Sequence, residues 1–352
     1  MNAIPSFDFQ IQFLKYIQWL LEMSSYTATY KFALLMSLVN SSIESAVNDD
    51  RCLFISYHHI ADHFIQLYWS QSLPYAPKQV QDGEILKQLT GGQASVIKDI
   101  IELRTIEPNI NKAKVKLASQ WHGLRKKVAS NIKRNPAQYL QTPEKNIHST
   151  FLYDYHAHTN GIELKQGIAY CFAHYSVIIN KLCQQYWTEF IRKNNQSLFS
   201  DIIDLQQFLF GELRQNLSIF LPLLSDLQDN RCFYCGSKLT DFTKTAEVDH
   251  FIPWSKYPND TAHNFVLADH KCNNAKRDYL AHTDFFEKWN DRNHTHGSQI
   301  HDYAMTHNFF TNLPQTQNVG AWAYQMAIEN NDLIWLPPKK LESIDLTFNP
   351  NF

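Results

Sequence analysis

Residues Arg231 to Leu280 read RCFYCGSKLTDFTKTAEVDHFIPWSKYPNDTAHNFVLADHKCNNAKRDYL, and three parts of this stretch carry chemistry. Cys232-x-x-Cys235 followed by Gly236 has the spacing at which two thiolates share one tetrahedral ion, with a glycine to permit the tight turn. Cys272 offers a third thiolate. A second x2-spaced pair would take its fourth ligand from Asp269, with the adjacent His270 as the alternative, since zinc accepts carboxylate oxygen or imidazole. A structural Zn²⁺ on Cys232, Cys235, Cys272 and Asp269 is the expectation. Val248-Asp249-His250 then reads as a short strand ending in an acid and a base, and His263-Asn264-Phe265-Val266-Leu267 as a second strand. An imidazole can take a proton from water near neutral pH, and a carboxylate with an amide oxygen can hold a hard divalent ion on phosphate. Finally, Cys272-Asn273-Asn274-Ala275-Lys276-Arg277 opens a polar helix. Asn273 falls in its first turn, and Lys276 lies one turn on, on the same face.

Taken together, the segment resembles the HNH endonuclease domain, the zinc-supported ββα-metal fold, as an H-N-N variant with signature residues His250, Asn264 and Asn273. Thirteen residues separate His250 from Asn264 and eight separate Asn264 from Asn273, as in that family. The departure is Asp269, where many members carry Cys or His. The resemblance covers about 60 of the 352 residues. It implies that His250 is the general base that activates water. Asp249 and Asn273 would hold a catalytic Mg²⁺ or Mn²⁺, and Asn264 would tie down the loop that bears the histidine. The implied reaction is phosphodiester hydrolysis that leaves 5′-phosphate and 3′-hydroxyl ends. Lys276 and Arg277 are expected as phosphate contacts on chemical grounds, outside the family assignment.

Outward from this core the chain looks helical. Gly and Pro are scarce, 10 and 13 residues of 352, which signals few turns. Helices are expected over 7–23, 28–45, 57–71, 164–192 and 201–228, with another starting in 94–104, and 111–134 reads as one long polar helix or two. A small hairpin is expected at the Asn160–Gly161 turn, and a short strand over Leu333 to Leu336 near the end. The net charge of −2 gives no whole-chain sign of a nucleic-acid partner. Between Arg104 and Arg134, however, nine basic residues face one acid. This stretch includes Arg125, Lys126, Lys127, Lys133 and Arg134, and such a run can track phosphates by Coulomb attraction and counterion release. The 231–289 region itself is electrically neutral, so broad DNA affinity would have to come from that run.

The expected architecture is mainly α: a helical region over 1–229, an HNH (treble-clef-like) domain over 230–290, and a C-terminal helical extension over 291–352. The helical region would bind DNA, a protein partner or a second copy of the chain. No run of about 18 apolar residues indicates a membrane span. The N-terminus does not look like a signal peptide, and a cytoplasmic setting follows, with Cys52, Cys171 and Cys183 as buried thiols. The function expected is a metal-dependent endonuclease acting on DNA, with RNA an open alternative and restriction or phage defence the implied role. The rival expectation is a zinc-stabilised nucleic-acid-binding module without hydrolysis. That module would have no physical need for Asp249, His250, Asn264 and Asn273 together.

Overall fold

The structure, a computed structural model, describes residues 4–23, 27–45, 49–75, 83–142, 149–198, 203–211, 216–239 and 245–350. The protein is mainly α-helical with small two-stranded antiparallel sheets. It forms two compact units, one built almost entirely from residues before 214 and the other from residues 214 onward. Among the described residues, no helix is long and apolar enough to cross a membrane.

The first unit contains α1 (Phe7–Met23), α2 (Tyr30–Glu44), α3 (Tyr57–Trp69), α4 (Ser95–Ile106), α5 (Ile110–Lys116), α6 (Ala118–Arg134), α7 (Pro136–Tyr139), α8 (Ile168–His174), α9 (Ser176–Asn194) and α10 (Ile203–Phe210). Their apolar faces bury Phe13, Phe32, Tyr68, Phe172 and Trp187. Aromatic edges meet inside, Phe13 on Phe172 at 5.2 Å and Tyr68 on Trp187 at 5.1 Å between ring centres. Several of the polar groups buried there satisfy one another. The Gln88 side-chain oxygen accepts from Thr29 at 2.9 Å and from the Trp187 indole at 3.0 Å.

Three expectations are refined or changed in this unit. The 164–192 stretch is two helices, broken at Tyr175, whose backbone leaves the helical region. The 111–134 stretch, expected as one helix or two, is two, with the break at Leu117. The hairpin expected at Asn160–Gly161 is not local. Strand β2 (Gly161–Leu164) pairs with the distant β1 (Leu53–Ser56), with Ile162 opposite Ile55. Gly161 serves this close approach, because a Cβ there would lie 2.3 Å from the Ile55 carbonyl oxygen. Cys171 and Cys183 are buried, whereas Cys52 is exposed at the start of β1.

The second unit carries α11 (Leu221–Leu227), β3 (Ala246–His250), β4 (Phe265–Asp269), α12 (His270–Lys276), α13 (Thr283–Thr306), α14 (Leu313–Asn330), β5 (Leu333–Leu336) and β6 (Lys340–Ser343). Strands β3 and β4 are antiparallel, with Ala246 opposite Asp269 and His250 opposite Phe265. Helix α12 follows β4 without a loop because Asp269 caps it, taking the Lys271 amide at 2.7 Å. The long α13 then holds the β3–β4 connection. Its Trp289, Arg292 and Asn293 all donate to the His263 carbonyl, and Arg292 also donates to the carbonyl of Phe265.

His263 anchors the same connection. It is 1% exposed and bonds Thr311 at 3.1 Å and the Gly297 carbonyl at 3.0 Å. Burial drives its pKa from 6.5 down to about 4. Between these values the unfolded chain takes up a proton that the folded chain refuses. Stability is therefore full above pH 6.5 and declines as pH falls toward 4, by about 3 kcal/mol from this residue. Denaturant titrations from pH 7 to pH 4 should show the decline. His263→Asn, less stable at neutral pH, should lose less on acidification, and an unchanged slope in the variant would contradict the assignment.

Candidate active site and metal centre

The hairpin β3–β4 and helix α12 surround an open groove of about 860 Å³, lined by Glu247, Asp249, His250, Trp254, Asp260, Asn273 and Arg277 among others. Period two along β3 places Glu247 and Asp249 on one face. His250 ends the strand, and Asn264 closes the loop that follows. The Asn264 side-chain oxygen accepts the Ile252 amide at 2.8 Å while its amide donates to the Ile252 carbonyl at 2.9 Å. The Phe251 amide bonds the Asn264 carbonyl at 2.8 Å. These three bonds fix where the chain goes after His250.

Asp249 is buried. Its Oδ2 accepts from the Tyr234 hydroxyl at 2.5 Å and from the Lys276 ammonium at 3.1 Å. Lys276 also donates to the His250 carbonyl at 2.9 Å and lies 5.9 Å from the centre of the Tyr234 ring. The side chain is 0% exposed, so it cannot reach a phosphate in the groove. This corrects its expected role: Lys276 is engaged by the Asp249 carboxylate and the His250 carbonyl, and Arg277, exposed beside it on the groove, is the cation facing outward. The two differ because Lys276 occupies the last turn of α12, pointed at β3, whereas Arg277 leaves the helix with φ of +50°.

Asn273 donates its amide to Glu247 at 2.7 Å, and His270 binds the other Glu247 oxygen at 2.7 Å. Burial pushes the Glu247 pKa up, but the hydrogen bonds from Asn273 and His270 prevail and hold it below the usual carboxylate range. With its N–H₂ engaged, Asn273 has its carbonyl oxygen left to offer. A carboxylate from Asp249 and an amide oxygen from Asn273 are hard donors of the kind Mg²⁺ and Mn²⁺ take. The donor set fits such an ion. His250 pairs through Nε2 with Asp260 at 2.8 Å, and its ring sits edge-on to Trp254 and Phe265.

The thiols of Cys232, Cys235 and Cys272 lie within 4.8 Å of one another, close enough to share one ion. Gly236 makes the knuckle turn with φ of +71°. The expected fourth ligand departs from the sequence reading. The Asp269 carboxylate is spent on capping α12, and only its backbone N–H reaches the Cys232 sulfur. His270 is committed on both nitrogens, to Glu247 and to Asn274. Three thiolates, which fit Zn²⁺, are what the described residues provide. Burial raises the Cys232 and Cys272 thiols, so an ion must displace protons to bind.

The expected nucleic-acid contacts Arg125, Lys126, Lys127, Lys133 and Arg134 lie on α6, in the first unit. Two of them are partly neutralised locally: Arg125 pairs with Asp62 at 3.3 Å and Lys127 with Asp99 at 3.2 Å. Arg134 bonds Asn131, and Lys126 is exposed. Sequence reasoning missed Tyr234, Glu247, Trp254 and Asp260. Only Glu247 had a signal, its place two residues before Asp249 on the same strand.

A scan against protein families matches residues 232–282 to the HNH endonuclease model. The chain carries an HNH endonuclease domain. Residues 10–206 match the family described as Domain of unknown function (DUF8808), more than half of the chain, which therefore belongs to it. No curated protein and no solved structure matches the chain. The HNH match spans the knuckle, both strands and α12, the same elements that build the groove.

The thiol geometry gives a direct test of the HNH domain's zinc ligands. Metal analysis of purified protein should find zinc at the same stoichiometry in the wild type and in Asp269→Ala. That variant should lose only a helix cap, about 1 kcal/mol of stability. Cys272→Ser should lose the ion. Zinc lost from Asp269→Ala would restore the carboxylate as a ligand.

Proposed function

We propose that the protein is a divalent-metal-dependent endonuclease that hydrolyses DNA phosphodiester bonds. The observation that carries this reading is the convergence of Asp249, His250 and Asn273 on one groove, while Asn264 bonds both the amide and the carbonyl of Ile252 in the loop that follows His250. Asp249 and Asn273 would hold Mg²⁺ or Mn²⁺, which when bound supplies Lewis-acid stabilisation of the charge on the scissile phosphate. His250 would take the proton from the attacking water. Arg277, exposed on the groove, would meet a flanking phosphate. The 3′ oxygen leaves, giving a 5′-phosphate and a 3′-hydroxyl. The three-thiol centre would hold zinc and brace the hairpin. A reducing cytoplasm would keep those thiols available. Restriction or phage defence is the role we expect.

Affinity for DNA would come from α6, whose Lys126, Lys127, Lys133 and Arg134 lie along its polar side. RNA is the competing substrate in the same groove.

Supercoiled plasmid with Mg²⁺ or Mn²⁺ should be nicked or linearised by the wild type and left intact by His250→Ala. Intact plasmid in both, with every divalent ion, combined with retained DNA binding would favour the non-hydrolytic module. Equal cutting of RNA would shift the substrate.

A second measurement separates the two kinds of cation. Replacing Lys126, Lys127, Lys133 and Arg134 with alanine should flatten the plot of log affinity against log salt by up to about 3 units. Lys276→Met should leave that slope unchanged and instead lower thermal stability, since it strands a buried carboxylate. A slope that moves in Lys276→Met would return this residue to the phosphate.

A further inference from the structure

We propose that Asp260 is the positioning residue of the catalytic base: it fixes the tautomer of His250 that leaves Nδ1 free to take a proton from water. The proposal rests on the nuclease reading above and names a residue that the HNH signature does not contain.

The geometry is direct. The Asp260 carboxylate lies 2.8 Å from His250 Nε2, and its side chain is 6% exposed. A carboxylate that is ionised can only accept, so Nε2 must carry the hydrogen. A neutral imidazole has one N–H, which puts the lone pair on Nδ1. Nδ1 has no hydrogen-bond partner among the described residues, and His250 lines the groove. The other well-bonded histidines of this unit differ. His263 uses both nitrogens, on Thr311 and the Gly297 carbonyl, and His270 uses both, on Glu247 and Asn274. Those rings are structural. His250 is held by one nitrogen and open at the other.

The pairing is also rigid. Trp254 and Phe265 meet the imidazole edge-on at 5.3 and 5.1 Å between ring centres, so the ring cannot flip without moving both. Just past Asp260, Ala262 donates its amide to Thr311 at 3.0 Å and His263 is clamped to α13. Among the described residues, His250 is the one hydrogen-bond partner of Asp260. A carboxylate that served only to hold the backbone would take a backbone N–H, as Asp269 takes that of Lys271.

The chemistry balances without another reagent. Water gives a proton to Nδ1 as its oxygen bonds to phosphorus. The bond from phosphorus to the 3′ oxygen breaks, and that oxygen takes a proton from solvent. The imidazole becomes a cation at this moment, and the carboxylate opposite Nε2–H offsets its charge.

The test uses full-length protein labelled with ¹⁵N-histidine, read by imidazole nitrogen shifts at mildly alkaline pH and by single-turnover DNA cleavage with Mn²⁺. The wild type should show His250 as the Nε2–H tautomer. Asp260→Ala should mix the tautomers and lower the cleavage rate constant about 100-fold. The DNA and Mn²⁺ concentration dependences and the melting temperature should stay near wild type, which a merely structural loss would not allow. Asp260→Asn keeps the side-chain volume and guards against misfolding of the alanine variant; its rate should also fall. Wild-type cleavage by both variants, or a wild-type His250 protonated on Nδ1, would overturn the proposal. Wild-type protein that shows Nε2–H yet cuts nothing would remove the nuclease reading and the catalytic half of the proposal, with the pairing itself demonstrated.

Discussion

One ammonium group with no access to water holds the nuclease site together. Lys276 Nζ contacts the Asp249 carboxylate and the His250 carbonyl, and it lies over Tyr234. Helix α12, strand β3 and the thiol-bearing turn therefore meet at a single charge. Burial of an ion pair gains little by itself, because desolvation takes back much of the Coulomb attraction. What it provides is a fixed geometry. Either partner alone would be a bare charge in an apolar interior, so the arrangement of acid, base and helix tolerates few alternatives. The reciprocal bonds of Asn264 and the clamp from α13 extend this constraint to the loop that carries Asp260.

The groove itself is acidic. Glu247, Asp249, Asp260 and Asp278 line it, against one exposed cation, Arg277. Such a surface repels phosphate at close range. A divalent ion on Asp249 and Asn273 would offset most of that charge, so it would govern the approach of the substrate as well as its chemistry. Residues 231–289 are neutral in charge, whereas α6 carries a run of basic residues, so on the proposed function catalysis and attachment would fall to separate elements.

Much of this was legible in the chain. The spacing of Cys232, Cys235, Asp249, His250, Asn264 and Asn273 identified the ββα unit, because each residue type at each interval answers one need of the chemistry. Helical periodicity marked most of the first unit, although the breaks at Leu117 and Tyr175 carry no glycine or proline to announce them. What the chain did not reveal was direction. Lys276 and Arg277 are adjacent cations, and only the end of α12 sends one inward and the other to solvent. Asp269 stood where a ligand was expected, but as the capping residue just before a helix its carboxylate had a nearer partner in the Lys271 amide. Gly161 resembled a turn glycine because strand β1, its true neighbour, lies more than a hundred residues earlier. Asp260 sits in an irregular loop where no period assigns a face.

Tyr234 lies between the two thiols of the knuckle, with its hydroxyl resting on Asp249. The three-thiol turn and the buried acid of the groove thus share a side chain. If that turn holds zinc, a chain without the ion would have a looser turn and an Asp249 held mainly by Lys276. Competence to cut DNA would then be licensed by the structural ion, and immature or damaged copies would be harmless to the genome of the cell that makes them.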